Sequence, residues 1–159
     1  RDLENNLDVW IIQMALAESV AARLRKHGFK CKTVEITVRD NGLYSFSRQM
    51  HLRQPTNITD EIVSAAFQLF KDNYKWEHPI RSLGIRAADL VLDDIPVQLD
   101  LFGNQEKKEK LEKLDRTVDE IRRRFGYFSI QRAAMYQNKV LSHLDAGTHT
   151  VHPHSYFHG

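Results

Sequence analysis

The sequence contains a single cysteine, Cys31, in 159 residues, so no disulfide can form within the chain. This excludes disulfide-dependent secreted domains and zinc sites built from several cysteines, and it is typical of a reducing compartment. No apolar run approaches the roughly 18 residues that a membrane-spanning helix needs. The first residues are polar, so no signal peptide is visible, and we expect a cytoplasmic protein.

A strong net charge is also missing, since 23 Lys and Arg nearly balance 21 Asp and Glu and give a formal charge of +2. A charge this small does not by itself indicate nucleic-acid binding, so any basic surface requires cations to be segregated onto one face. Phosphate-binding glycine loops, nucleophile elbows and metalloprotease motifs are absent. Asp93 and Asp94 are adjacent, but no third carboxylate is placed beside them, so we expect no catalytic residue, metal site or cofactor in this chain.

Two segments have apolar residues at helical spacing, residues 6–27 and residues 58–74. Each predicts an amphipathic helix with acidic residues in its first turn. The candidate capping residues are Asn5 or Asn6 for the first helix and Asn57 or Thr59 for the second.

Three segments predict strands, residues 32–39, 44–52 and 80–90, and the turn signal Asp40-Asn41-Gly42 joins the first two as a hairpin. The hairpin alternates apolar and polar residues, so one of its faces is buried and the other is open. Helices cover only one face of such a sheet. The pattern therefore predicts an α+β fold, an antiparallel sheet with two helices on one face.

The open face carries hydroxyl, amide and guanidinium groups, which are donors for phosphate oxygens. Aromatic residues are absent from that parity, so stacking of single-stranded bases is not expected. The alternative interpretation is a solvated sheet face without a ligand. The residues concerned are Thr33, Thr37, Arg39, Ser45, Ser47, Gln49 and His51, with Arg86 from the third strand.

The composition changes after Gly103. Residues 105–125 are charge-rich with a narrow apolar stripe, which predicts a helix that packs against the second helix or against another copy. Ser129 is placed to begin a further helix through about Leu144, which would complete a helical hairpin extension. Residues 146–159 form a histidine-rich tail, for which solvated side chains are expected rather than a metal site. The stripe consists of Leu111, Leu114, Val118, Ile121 and Phe125.

Four segments occur in the order VAARLR (20–25), TVEITVRD (33–40), SFSRQ (45–49) and IRSLGIR (80–86). Together they resemble the little finger domain of Y-family translesion DNA polymerases, in the bacterial polymerase IV and V branch. The resemblance implies a sheet that lies along the DNA major groove and grips backbone phosphates of the primer-template duplex. It also implies a longer parent protein, a DNA-directed DNA polymerase (a nucleotidyltransferase) of DNA damage repair in the bacterial cytoplasm. That parent would use Mg²⁺ in a catalytic palm, which is absent here.

The resemblance implies DNA contacts at Thr37, Arg39, Ser45, Ser47, Arg48, Gln49, Arg81 and Arg86. Two of these depart from the simple alternation, because Arg48 shares parity with Phe46 and Arg81 shares parity with Leu83 on the predicted core side. Either a bulge or a strand edge has to bring them to the DNA.

A second departure concerns the strand that precedes the first helix in the family. This chain begins after that strand would end, so we expect a sheet with its first family strand missing and an unpaired edge. Such an edge is available for pairing with another chain or for self-association.

The segment Gln98-Leu99-Asp100-Leu101-Phe102 is similar to the sliding-clamp-binding pentapeptide of bacterial polymerases. The similarity implies that Leu101 and Phe102 insert into an apolar pocket of the clamp while Gln98 makes a fixed polar contact. The alternative is a fourth strand that buries Leu99, Leu101 and Phe102.

These observations divide the chain into four parts and leave two functions to compare. The first function is that of a DNA-binding polymerase domain with a clamp tether, and the alternative is a protein-interaction or regulatory dimerisation module. The predicted parts are a DNA-binding domain at 1–96, a clamp-binding peptide at 97–103, a helical extension at 104–145 and a tail at 146–159.

Overall fold

The computed structural model describes residues 2–94, 105–138 and 141. The elements in chain order are α1 (Asn6–His27), β1 (Phe29–Asp40), β2 (Ser45–Thr56), α2 (Thr59–Asn73), β3 (Ile80–Leu92) and α3 (Gln105–Phe125). Two short 3-10 turns follow, Tyr127–Ser129 and Ala133–Gln137. The strands form an antiparallel sheet in the order β2-β1-β3, with β1 in the centre. The predicted α+β class is confirmed.

The core lies between the sheet and the helices α1 and α2. On the central strand, Val34, Ile36 and Val38 are at most 1% exposed, and they belong to one apolar cluster with Ile11 of α1 and Phe70 of α2. Burial of each such side chain contributes about 1.5–3 kcal/mol to folding. Both helices therefore cover the same face of the sheet, and the opposite face is left open.

Local signals fix the ends of α1. Asn5 Oδ1 accepts a hydrogen bond from the Asp8 amide at 2.9 Å, which caps the N-terminus as predicted. Gly28 ends the helix in the left-handed conformation, with φ of 74°. Glycine adopts this conformation without a side-chain clash, so the chain can turn directly into β1.

The N-terminus of α2 differs from the prediction, because neither Asn57 nor Thr59 caps it with a side chain. The cap residue is Ile58, and the Thr59 amide donates to Asp115 Oδ2 of α3 at 2.9 Å. The Asn57 side-chain amide is instead directed to the carbonyl oxygen of Phe29, at 3.3 Å. The predicted caps are wrong because a carboxylate distant in sequence supplies the acceptor.

Ion pairs attach α3 to the rest of the structure. Arg25 at the end of α1 contacts Asp115 at 3.2 Å and Asp119 at 2.6 Å, and Glu18 contacts Arg122 at 2.7 Å. The predicted apolar stripe is only partly covered, since Leu114 remains 52% exposed and Phe125 remains 73% exposed. More than half of the surface of each of these two residues is therefore left uncovered by α2 and the other described elements.

Between Tyr127 and Asn138 the predicted second limb of the helical hairpin is not an α-helix, whereas Leu141, the next described residue, is helical. After Gly126 the chain continues in the two 3-10 turns. The Arg122 guanidinium donates to the Ile130 carbonyl at 2.9 Å, and Arg132 pairs with Asp60 at 2.9 Å. These two contacts fix the position of the segment. These contacts compete with a regular helix between Ser129 and Asn138, where the chain forms a 3-10 turn instead.

The edge at β3 carries a single isolated pair. Leu3 and Ile80 exchange two backbone hydrogen bonds of 2.8 Å, and among the described residues no strand continues this pairing along β3. The sequence predicts that the full first strand is missing, and among the described residues only this one-residue bridge lies beside β3.

None of the helices in the described ranges is long and apolar enough to cross a membrane.

Candidate nucleic-acid interface

The open face of the sheet is organised in rows that run across the three strands. The pleat alternates side chains between the faces, and the register aligns residues of equal parity on neighbouring strands. In the order β2, β1, β3, the rows are Ser45–Arg39–Ser82, Ser47–Thr37–Gly84, Gln49–Glu35–Arg86 and His51–Thr33–Ala88. Six of the eight predicted DNA contacts, all except Arg48 and Arg81, lie in these rows.

Arg39 and Arg86 are the cations of these rows. Both are exposed, and within residues 2–94 and 105–138 neither guanidinium has a hydrogen-bond or ion-pair partner. They are two rows apart, which corresponds to about 14 Å along the strand direction. Two guanidinium groups at this separation can contact different phosphates.

Glu35 lies in the centre of the same face, aligned with Arg86 on one side and Gln49 on the other. Its half-buried carboxylate offsets part of the positive potential. In these rows two arginines outnumber one glutamate. The face is therefore rich in hydroxyl and amide donors and is not a strongly basic patch.

Arg48 lies on the helix-covered parity, opposite Ile36, and the β1–β2 register is regular at this point. Since β2 is an edge strand, the side chain extends past the edge and stays exposed. Its guanidinium donates to the Ser47 carbonyl at 2.8 Å and lies 5.3 Å from the Phe46 ring centre. Arg48 therefore lies at a strand edge, one of the two arrangements expected to let it reach DNA.

Arg81 takes the other route. The β1–β3 register shifts between Arg39 and Asp40, which pair with Ser82 and Ile80, so Arg81 is the extra residue of a bulge. A bulge locally changes the direction of side chains, and Arg81 is exposed. The predicted conflict with the core parity of Leu83 is thereby removed.

Two aspartates could not be predicted to have a role from the sequence, one on the open face and one that attaches α3 to the domain. Asp89 of β3 has a positive φ of 53° and accepts a hydrogen bond from Thr33 on the open face. Asp115 of α3 contacts both α1 and α2. Neither aspartate has a sequence signal, because the first lies within an apolar strand and the second within a charge-rich helix.

The clamp-like segment lies outside the described residues, so its five residues remain predictions. The described chain stops shortly before it, where the Asp93 amide donates to the Gly28 carbonyl at 2.9 Å. It resumes at Gln105, the first residue of α3. The residues concerned are Gln98, Leu99, Asp100, Leu101 and Phe102.

Comparison of the sequence with known proteins identifies its relatives. The impB/mucB/samB family C-terminal domain matches residues 1–101. DNA polymerase IV of Acetivibrio thermocellus is 42% identical over 144 residues, which cover 91% of this chain and 36% of that protein. DNA polymerase IV of Pelotomaculum thermopropionicum is 33% identical over 133 residues, which cover 84% of this chain and 32% of that protein. DNA polymerase IV 2 of Bacillus subtilis is 34% identical over 138 residues, which also cover 84% of this chain and 32% of that protein.

The chain thus spans about a third of the length of these relatives. The 144-residue alignment is longer than the 101 residues that the family domain covers, so part of the helical extension is shared with the Acetivibrio protein. By sequence, the chain belongs to the impB/mucB/samB C-terminal domain family, the C-terminal domain of Y-family DNA polymerases.

Proposed function

We propose that the open sheet face binds the backbone phosphates of duplex DNA and that the chain is the DNA-binding part of a translesion polymerase. The observation that carries the proposal is the pair Arg39 and Arg86, exposed and without internal partners on a face of hydroxyl and amide donors. Phosphate oxygens accept hydrogen bonds from all these groups, and arginine binds them in a bidentate manner. Arg48 at the edge and Arg81 at the bulge would extend the contact to neighbouring phosphates.

The parent protein would be a DNA-directed DNA polymerase of DNA damage repair, acting in the bacterial cytoplasm. The relatives named DNA polymerase IV support this, since this chain aligns with only a third of their length. The Mg²⁺ that such an activity uses would belong to the catalytic part. Within the described residues of this chain, no group of three or more His, Cys, Asp or Glu side chains is arranged to hold a metal ion.

The segment 98–102 would tether the polymerase to its sliding clamp. Leu101 and Phe102 would serve as apolar anchors, which carry most of the affinity of such short peptides. A domain with a modest cationic excess binds DNA weakly, and a clamp tether compensates by raising the local concentration of DNA.

The phosphate contacts are tested by removing both cations of the open face. Duplex affinity is measured as a function of salt for wild type and for the double variant Arg39→Ala, Arg86→Ala. Each phosphate contact contributes about 0.9 to the slope of log K against log salt, so the double variant should lose about 1.8. Its affinity should fall alike for all sequences, since phosphates carry no sequence information.

A charge-matched control uses two exposed lysines of α3, Lys107→Ala and Lys113→Ala. It removes the same net charge away from the sheet and should preserve the slope. Equal losses in both double variants would mean that net charge alone drives binding, and the assignment of the open face would be wrong.

Self-association through α3 is a second candidate function, favoured by the exposed side chains of Leu114 and Phe125. Sedimentation equilibrium of the chain without DNA tests it. A mass that increases with concentration, combined with no measurable affinity for duplex DNA, would favour the interaction module over the DNA-binding domain.

A further inference from the structure

Three polar side chains form a hydrogen-bonded chain across the open face, one from each strand. Asp89 Oδ2 of β3 accepts from Thr33 Oγ1 of β1 at 2.5 Å, and the same hydroxyl oxygen lies 2.9 Å from His51 Nδ1 of β2. Thr33 is only 1% exposed, whereas His51 and Asp89 are exposed. We refer to this Asp89–Thr33–His51 chain as the relay.

The backbone at Asp89 is unusual for a strand. Its φ of 53° lies in the left-handed region, which few residues other than glycine adopt, although aspartate tolerates it better than most. Such conformations persist when surrounding contacts hold them. Here the contact is the hydrogen bond from the buried Thr33 hydroxyl to the Asp89 carboxylate.

The relay fixes the tautomer of His51. The Thr33 hydroxyl has one proton and donates it to the ionised Asp89, so its oxygen can only accept from His51. Nδ1 of His51 must therefore carry a proton at all times. Nε2 is then the nitrogen that gains or loses a proton, and it donates a hydrogen bond only in the charged imidazolium.

We propose that His51 is an additional phosphate-binding residue of the open face and that it binds DNA through Nε2 when the imidazole is protonated. The proposal rests on the proposed function of the face. When His51 is protonated, its charge balances that of Asp89, so the relay has no net charge when it binds a phosphate. With His51 neutral, the uncompensated charge of Asp89 disfavours a phosphate at this position.

Other charged groups surround the relay on all three strands and do not replace this function. Glu35 and Arg86 share the adjacent row and oppose each other in sign. The other exposed cations adjacent to the relay in sequence are Lys32, next to Thr33, and Arg53, two residues beyond His51. Lysine and arginine keep their charge near neutral pH. The full set is Lys32 and Glu35 on β1, Arg53 on β2, and Arg86 and Asp89 on β3.

The test is the pH dependence of duplex affinity at constant ionic strength, measured for wild type and for His51→Gln. Histidine changes charge between about pH 5 and pH 8, so wild-type affinity should rise about tenfold from pH 8 to pH 5.5. The salt slope of wild type should exceed that of the variant by about 0.9 at pH 5.5 and match it at pH 8. His27→Gln, at the end of α1, is the matched control and should behave as wild type.

Asp89→Asn separates the charge of His51 from the charge of Asp89. Asparagine tolerates the left-handed backbone and still accepts from Thr33, but it carries no charge. Because the hydrogen bond from Thr33 and the tautomer of His51 are kept, we expect the variant to gain affinity while its affinity still rises from pH 8 to pH 5.5. Loss of that rise would mean that the charge of Asp89, not that of His51, changes with pH, which would overturn the proposal.

Two further outcomes are distinguishable. If His51→Gln keeps the full pH dependence while the Arg39, Arg86 double variant loses affinity, the role of His51 is wrong and the proposed function stands. If wild type binds no duplex DNA, the proposed function itself fails. Nitrogen NMR of the His51 ring in the free protein gives an independent readout, since a neutral ring protonated at Nε2 alone would contradict the relay.

Discussion

Arg25 Nη1 lies 3.2 Å from Asp115 Oδ2, and both side chains are at most 7% exposed although the residues are 90 positions apart in the sequence. The same carboxylate oxygen accepts the Thr59 amide at 2.9 Å. One residue of the extension therefore pairs with the end of α1 and caps the start of α2. The extension contacts the family domain at its two helix termini, and α3 contributes to the stability of the whole unit.

Asp115→Ala should destabilise the protein by about 2–3 kcal/mol. The change removes the cap of α2, and it deprives Arg25 of one partner while Asp119 and the Asn57 carbonyl remain. The measurement is the urea midpoint followed by circular dichroism. Glu109→Gln, at an exposed position of α3, is the control and should leave the midpoint unchanged. Equal midpoints for wild type and Asp115→Ala would show that α3 is not coupled to the domain.

The ionisation of Asp115 predicts a specific pH dependence. Burial raises the pKa of Asp115 by more than the Thr59 amide and Arg25 lower it. The folded state thus binds this proton more tightly than the unfolded state. The associated stability is fully present below about pH 4 and is lost as pH rises through the raised pKa.

Asp115→Asn isolates this effect, because it keeps an acceptor for Thr59 and cannot titrate. The free energy of unfolding of wild type, relative to this variant, should decrease as pH rises from about 4. Urea unfolding at several pH values measures the difference. A difference that increases over the same range would mean that the ion pair with Arg25 outweighs the cost of burial.

Cys31 should be unreactive in the native protein. The side chain is fully buried, and burial raises the pKa of its thiol to about 11. Only about one thiol in a thousand would be ionised at pH 8, and the thiolate is the reactive form. A disulfide reagent should therefore label Cys31 only after unfolding, and in Asp115→Ala the rate should increase. Rapid labelling of the native wild type would contradict the described core.

The clamp peptide is tested separately from the DNA face. The double variant Leu101→Ala, Phe102→Ala should lose sliding-clamp binding, because the two apolar anchors carry the affinity. Duplex affinity measured on the same preparation should be unchanged. If clamp binding persists, residues 98–102 are not the tether.

The sequence predicted the elements that depend on local signals. Asn5 and Gly28 mark the ends of α1, and the alternation of β1 identifies which residues face the helices. The cap of α2 could not be predicted, because its acceptor, Asp115, is distant in sequence. The sequence predicts a helix from Ser129, and the described residues up to Asn138 differ because the long-range contacts of Arg122 and Arg132 have no local signature.

In the candidate site, too, local features could be predicted from the sequence and long-range features could not. Strand parity placed Arg39, Thr37 and Ser47 correctly on the open face, and it also exposed the conflict at Arg48 and Arg81. How each conflict is resolved depends on the sheet edge and on a register shift, which only the assembled sheet contains. The position of Asp89 depends on a backbone conformation that the surrounding Ala-Ala-Asp-Leu sequence does not signal.

The most direct test of the central claim is an amide NMR footprint of duplex DNA on this 18.6 kDa chain. We expect the shifts to concentrate on β1, β2 and β3, with the largest at the rows of Arg39 and Arg86, and to weaken with salt as phosphate contacts do. Shifts concentrated on α3, with the sheet unaffected, would contradict the claim that the open sheet face binds DNA.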